Sequence, residues 1–312
     1  MSNILVTGGA GFIGSNLVRF LLEKGQSVRV LDNFETGKRE NLTEITGHID
    51  LVEADIRDHD AVTRAVKDIE IVYHLAALGS VPRSIDDPVT THAINVDGTF
   101  HLLTACRQCK VRRFVFASSS AVYGDTTVMP QHEGLPMQPI SPYGASKAIG
   151  ELYCRVFYET YGLETLSLRY FNVFGPRQNP NSHYAAAIPL FVSALMKDKP
   201  PTIFDDGEQS RGFTYIDNVT QANWLCGQTD QARGQVLNIS TPDAVTVNTL
   251  VNIIKNLLGK DHIEPVYTDP RPGDIKHSLA DVSRAAQTIG YKTDVSFEQG
   301  IQKAIDWYKT NL

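Results

Sequence analysis

"NILVTGGAGFIGSNLVRFLLEKG" (residues 3–25) sets three glycines, Gly8, Gly11 and Gly14, between a short run of branched apolar residues and a segment with helical apolar spacing. This is a strand, a glycine turn and a helix in sequence. In such a turn the first glycine lets the chain reverse tightly. The second lets backbone approach a pyrophosphate, and the third lets helix pack on strand. The helix N-terminus offers N–H groups and the positive end of its dipole to phosphates, with Phe12 and Ile13 in its first turn. An acid, Asp32, ends the next strand, "SVRVLDN", 18 residues past Gly14. A carboxylate there accepts hydrogen bonds from a ribose diol and repels a 2′-phosphate, so the pattern selects NAD over NADP.

Outward from this turn, strand and helix alternate. "DLVEADI", "IEIVYHLAA", "RRFVFASSS" and "ETLSLRYFN" read as further buried strands, and "VTTHAINVDGTFHLLTACRQC" as one long helix. Apolar strands alternating with helices imply a doubly wound parallel sheet covered on both faces, an α/β fold of the Rossmann type. After Asn172 the rhythm breaks into the Pro-, Asn- and Gly-rich loop "VFGPRQNPNSHYAAAIP". The expected organisation is an NAD-binding domain over 1–172 and a smaller, mixed α/β substrate domain over 173–312, with some later segments returning to the first. Asp55, after the third strand, reads either as an adenine contact or as the cap of the helix that follows.

The composition is that of a globular protein, with 42% hydrophobic and 21% charged residues. A net charge of −6 points away from nucleic acid and anionic membranes. No apolar run approaches the ~20 residues of a membrane span, and the N-terminus enters a strand at once. A cytoplasmic location is expected. Four cysteines are too few for a disulfide scaffold. Cys106 and Cys109 fall late in a helix, and without a second CxxC or a Cys/His cluster they do not suggest zinc or any other metal.

"SPYGASKAIGELY" (residues 141–153) places Tyr143 and Lys147 four apart at a helix start, on one face. With "TGGAGFIG", "FASSSAVYGD", "RYFNVFGPRQNP", "SRGFTYIDNV" and "RPGDIKHSLAD", this stretch resembles the extended short-chain dehydrogenase/reductase family over nearly the whole chain. The resemblance implies a catalytic group of Ser119, Tyr143 and Lys147. A phenol with a pKa near 10 is a poor base at neutral pH, and a cation within ~4–6 Å favours its phenolate. Lys147 supplies that charge on the next turn and is expected to reach the nicotinamide ribose. The resemblance also assigns Asn33, Asp55, Ile56, Leu75, Ala77 and Tyr170 to the cofactor, beside the glycine turn and Asp32.

Members of the family oxidise a sugar hydroxyl with bound NAD and then diverge. Dehydratases and decarboxylases carry an extra acid after the catalytic Ser/Thr, where this chain has Ser120 and Ala121. Neither side chain is acidic, so re-reduction of the 4-ketone on its other face is expected, as in UDP-hexose 4-epimerases. By resemblance Arg211 and Arg271 hold the diphosphate, Asp274 a ribose, and Asn172 the diphosphate or sugar. Gly212 departs from the Asp usual after this arginine. The closest likeness is to epimerases of UDP-GlcNAc and UDP-GalNAc, with Gly79, Ser120, Gln178, Ala186 and Ser278 as pocket walls. A serine at 278, in place of tyrosine, leaves room for a 2-acetamido group.

Other readings are a UDP-glucose/UDP-galactose or dual-specificity epimerase and a UDP-glucuronate 4-epimerase using Arg83 for the carboxylate. From another class comes a non-catalytic NAD-binding regulator, against which the intact Tyr, Lys and Ser weigh. Family members pair as homodimers through two helices per subunit, here those near 88–109 and 144–161.

Overall fold

The computed structural model describes residues 3–180, 186–270 and 275–311. Six strands, β1 (Asn3–Thr7), β2 (Ser27–Asp32), β3 (Ile49–Glu53), β4 (Ile71–His74), β5 (Arg113–Ser119) and β6 (Glu164–Tyr170), and a seventh, Gln235–Ile239, form one sheet. All neighbours run parallel. The order across the sheet is Gln235–Ile239, β6, β5, β4, β1, β2, β3. Chain order therefore reverses between β1 and β4, and ligands of open α/β sheets bind outside the strand ends at such a point.

Both faces of the sheet are buried, which explains the near-continuous apolar strands. Successive side chains alternate between faces. Ile4 and Val6 join one core, with the apolar residues of α1 (Phe12–Glu23). Leu5 joins the other, with Val62, Leu102 and Phe157 from α2 (His59–Val66) and the helices after β4 and β5.

The stretch expected as one long helix is more structured than its periodicity shows. After α3 (Val81–Asp86) come α4 (Pro88–His92), a wider π turn over Ala93–Asp97, and α5 (Gly98–Gln108). Such single π turns recur at functional sites. Here the turn carries Asn95, whose amide accepts from Leu78 N at 2.8 Å and donates to Ser146 Oγ at 3.1 Å. The next helix, α6 (Pro142–Tyr161), starts where Ser141 Oγ accepts from Gly144 N and Pro142 takes the first position. It stops at Gly162, whose φ of +72° suits a left-handed cap.

Beyond Asn172 the chain forms short two- and three-stranded ladders and five helices among the described residues. Two of its segments return to the sheet. The strand Gln235–Ile239 pairs with β6, and the helix Ile216–Gln228 sets Trp224 edge-on to Phe20 of α1. No helix among the described residues is long and apolar enough to cross a membrane.

Candidate active site

At the strand ends a cavity of about 440 Å³ opens beside the glycine turn. Gly8 has a φ of +70°, and a Cβ there would sit 2.7 Å from Ala76 N. A Cβ on Gly14 would collide with the Gly8 carbonyl oxygen. The turn therefore lies against its neighbours with no room for side chains. Gly11 caps α1 without a side-chain bond, so the first N–H groups of that helix are left for a ligand. These features fit a dinucleotide diphosphate.

Asp32 lies on the same wall, 6% exposed, with Oδ2 accepting from Ala10 N and Oδ1 from Phe34 N, both at 2.8 Å. Burial raises its pKa while these two bonds lower it. Each oxygen keeps a lone pair, so the carboxylate can still accept from a diol. Asp55 is not the cap of α2, a role taken by Asp58. Its carboxylate instead pairs bidentately with Arg57 and accepts from Asn33 Nδ2, and these bonds, led by Arg57, bring its pKa to about 2. Phe12, Ile13, Asn33, Asp55, Ile56, Leu75, Ala77 and Tyr170 all line the cavity.

Tyr143 and Lys147 line it too. Lys147 is 4% exposed, donates to Ala117 O at 2.8 Å, and has Nζ 5.8 Å from the Tyr143 ring centre. Burial lowers its pKa to about 8. The phenol of Tyr143 is pushed up by burial and pulled down by a hydrogen bond with Ser119. In the protein alone the hydrogen-bond partner of the phenol is Ser119, while Lys147 bonds a backbone carbonyl with its charge 5.8 Å from the phenol ring. Ser119 Oγ also accepts from Ala121 N at 3.2 Å, capping the short turn Ser120–Tyr123.

A second cavity of about 260 Å³ shares Gln178 and Ala186 with the first. Asn172, Phe174, Phe191, Phe204, Arg211 and Phe213 are among its walls. Gln178 Oε1 is buried without a hydrogen-bond partner, a polar atom suited to a ligand donor. Arg211 Nη1 donates to the Ser210 and Lys276 carbonyls. At Gly212 a Cβ would come 2.7 Å from Ser240 Oγ, so a larger residue would need that serine to move.

Not every expected wall residue reaches a cavity. Gly79 lines the first, but Ser119, Ser120 and Ser278 line neither. Ser278 is buried, 6% exposed, in a short strand paired with Ser210–Arg211. Arg271 and Asp274 lie outside the described residues.

Several functional candidates escaped the sequence reading. Glu151 is 4% exposed, holds Arg169 through two bonds at 2.7 and 2.9 Å, and accepts from Ser118 Oγ. Its signal was an acid four residues after Lys147 on one helix face. Ser84 Oγ accepts from Tyr143 N at 3.1 Å, positioning the tyrosine from α3. Arg177, in the quoted "GPRQNP", lines the first cavity and donates to Asn16 Oδ1.

A parallel sheet of this order, with a glycine turn at its switch point and a Ser–Tyr–Lys group at the strand ends, defines the short-chain dehydrogenase/reductase class. A family model described as GDP-mannose 4,6 dehydratase matches residues 5–304, and the chain belongs to this extended short-chain dehydrogenase/reductase family. A UDP-N-acetylglucosamine 4-epimerase from Methanobrevibacter ruminantium M1, solved in complex with UDP-N-acetylmuramic acid, is 42% identical. The match covers 100% of this chain and 99% of that one, with a TM-score of 0.95. A Thermotoga maritima UDP-glucose 4-epimerase, solved with UDP-glucose, is 37% identical over 99% of each chain, with a TM-score of 0.94. A UDP-glucose 4-epimerase from Thermus thermophilus, solved with NAD, is 35% identical over 99% of this chain and 100% of that one, with a TM-score of 0.90.

Proposed function

We propose that this chain interconverts UDP-GlcNAc and UDP-GalNAc by NAD-dependent epimerisation at C4. The enzyme class, a UDP-sugar 4-epimerase using NAD, follows from its family and relatives. The acetamido preference rests on small residues in the cavity walls. A Cβ at Gly79 would meet no atom within 4 Å, and Ala186, shared by both cavities, is equally small. That space suits a sugar bearing a 2-acetamido group. The 42% identity to a UDP-N-acetylglucosamine 4-epimerase supports the same reading.

In this reading the larger cavity takes NAD and the smaller one, with its phenylalanines and Arg211, takes the nucleotide of the sugar substrate. Residues 173–312 mainly serve that second site, with Arg271, Asp274 and Ser278 as further proposed contacts. NAD held along the glycine turn and Asp32 would supply the hydride acceptor and donor for C4, with the ketone re-reduced on its opposite face. Tyr143 takes the 4-hydroxyl proton and gives it back. Ser119 holds the reacting oxygen through the hydrogen bond it shares with Tyr143. Burial favours the neutral phenol that returns a proton, whereas that bond and nearby positive charge favour the phenolate that accepts one. Without an acid at Ser120 or Ala121, the ketone is not diverted to elimination. A glucuronate substrate would need a cation for its carboxylate, but Arg83 already pairs with Glu35 at 2.6 Å. The enzyme further acts as a homodimer, joined through exposed apolar faces of α5 and α6.

The test follows UDP-GlcNAc and UDP-glucose separately by proton NMR of the anomeric signals, with Tyr143→Phe as control. We expect UDP-GalNAc from UDP-GlcNAc to form at least ~10-fold faster than UDP-galactose from UDP-glucose, a ratio of the size a pocket contact supplies. Equal rates would make the pocket merely permissive. Unchanged turnover in Tyr143→Phe would reject the mechanism.

A further inference from the structure

We infer that the Glu35–Arg83 ion pair is a latch across the dinucleotide cleft that slows the departure of bound NAD. This rests on the cofactor reading above. β2 and β4 flank β1 in the sheet, so the segments that follow them lie on either side of the glycine turn. Two strand spacings, roughly 9.5 Å, separate them. Glu35 follows β2 by three residues and Arg83 belongs to α3 after β4. Their side chains close that gap, with Nη2 to Oε1 at 2.6 Å, and both line the larger cavity. A pair joined from these two sides bridges the segments that flank the turn, on the wall of the same cavity.

Both ends are anchored to parts of the site. Glu35 N donates to Asn33 Oδ1 at 3.0 Å. The preceding residue, Phe34, holds a φ of +58°, uncommon for a bulky side chain, with Arg39 stacked 4.0 Å from its ring. Asp32 fixes this bend through Phe34 N. On the other side Ser80 Oγ accepts from Arg83 N, and the next residue, Ser84, accepts from Tyr143 N. The latch therefore ties the loop of the ribose-binding acid to the helix of the catalytic tyrosine.

A rival role for Arg83 is direct attraction of the cofactor's phosphates. The two roles predict opposite effects of removing Glu35. A phosphate-binding arginine freed of its carboxylate would hold NAD more tightly. A latch that loses half its pair would let NAD go faster.

The experiment loads the intact enzyme with NAD and measures its release by trapping free NAD with an excess of ethanol and alcohol dehydrogenase at 340 nm. Glu35→Gln, Arg83→Gln and the exchange Glu35→Arg with Arg83→Glu are compared with wild type. Both side chains are about a third exposed, so each single change should speed release by about fivefold, the upper range for such pairs. The exchange should return the rate to within about twofold of wild type. Release that is unchanged, or slower in Glu35→Gln, overturns the latch, as does an exchange that recovers nothing. Glu35→Gln keeps the shape of the side chain, so its result stands even if the exchanged pair folds poorly. Calorimetric titration separates the two readings. A wild type that binds no NAD removes both, whereas tight binding with unaltered release removes the latch alone.

Discussion

Lys147 is the buried side chain through which the proposed chemistry would depend on pH. Burial holds its pKa at about 8, although Cys154 and Glu151 pull it upward. The ordinary value, kept in the unfolded chain, is 10.5. Between these two values the unfolded state binds the extra proton, so stability gained from this group rises with pH. The cost of burying the charge is thus present at neutral pH and relieved above about 8. Activity should move the other way, because the charge that favours the Tyr143 phenolate leaves as pH rises through the folded value. We expect kcat of the NAD-loaded enzyme to fall above a midpoint near pH 8. A profile that stays level to pH 10 would reject a charged Lys147 as part of the chemistry. The lysine and its spacing to the tyrosine were legible in the sequence. Its hydrogen bond to Ala117 O was not, because that carbonyl belongs to a strand 30 residues away and only the sheet brings it near.

At the scale of elements, the proposed chemistry would depend on how closely α6 lies on β5. Gly150 makes the approach possible, since a Cβ there would collide with the Phe116 ring. Phe116 in turn lies beneath Lys147, with Nζ 4.9 Å from its ring centre. Gly150→Ala should therefore lift the helix from the strand. Overpacking of this kind costs about 1–3 kcal/mol. Denaturant unfolding should show that loss, and kcat should fall because Lys147 and Ser119 sit on opposite sides of the strained contact. A variant as stable and active as wild type would mean that the helix does not set the geometry. Helices and strands were readable here wherever the apolar period was clear, as in β1 and α1. The π turn at Ala93–Asp97 was hidden because a shift of one residue over a single turn is too brief to register in the apolar period. Its reason is tertiary, the bonds of Asn95 to Leu78 and Ser146.

For the whole molecule, the parallel sheet follows from the alternating elements and the cofactor class from the glycine turn and Asp32, whereas the strand order and its reversal between β1 and β4 are seen only in the fold. The substrate side was less legible. The segments proposed for it include short ladders such as Ser210–Arg211 with His277–Ser278, whose two-residue strands carry no periodic signal. Ser278, assigned to a pocket wall by resemblance, lies buried in one of these ladders. The outer surface leaves one more feature to account for. Phe100 of α5 and Leu152, Tyr153 and Val156 of α6 are large apolar side chains open to solvent. They are contiguous, for the Phe100 and Tyr153 rings lie 5.1 Å apart. Contiguous exposed apolar side chains mark interaction sites more often than chance. A two-fold axis beside α5 and α6 would bury the patch against its own copy, the commonest symmetry of soluble oligomers. Because α6 carries Tyr143 and Lys147 on its buried side, such pairing would also brace the catalytic helix from outside. Light scattering should then give wild type a mass near twice the 34.5 kDa of one chain. Leu152→Glu with Val156→Glu should return it to a single chain, since burying two unpaired carboxylates is strongly unfavourable. Turnover should drop with the loss of bracing while circular dichroism stays that of a folded protein. A wild type already at one chain's mass, or a double variant that keeps the doubled mass, would remove this face as the subunit contact.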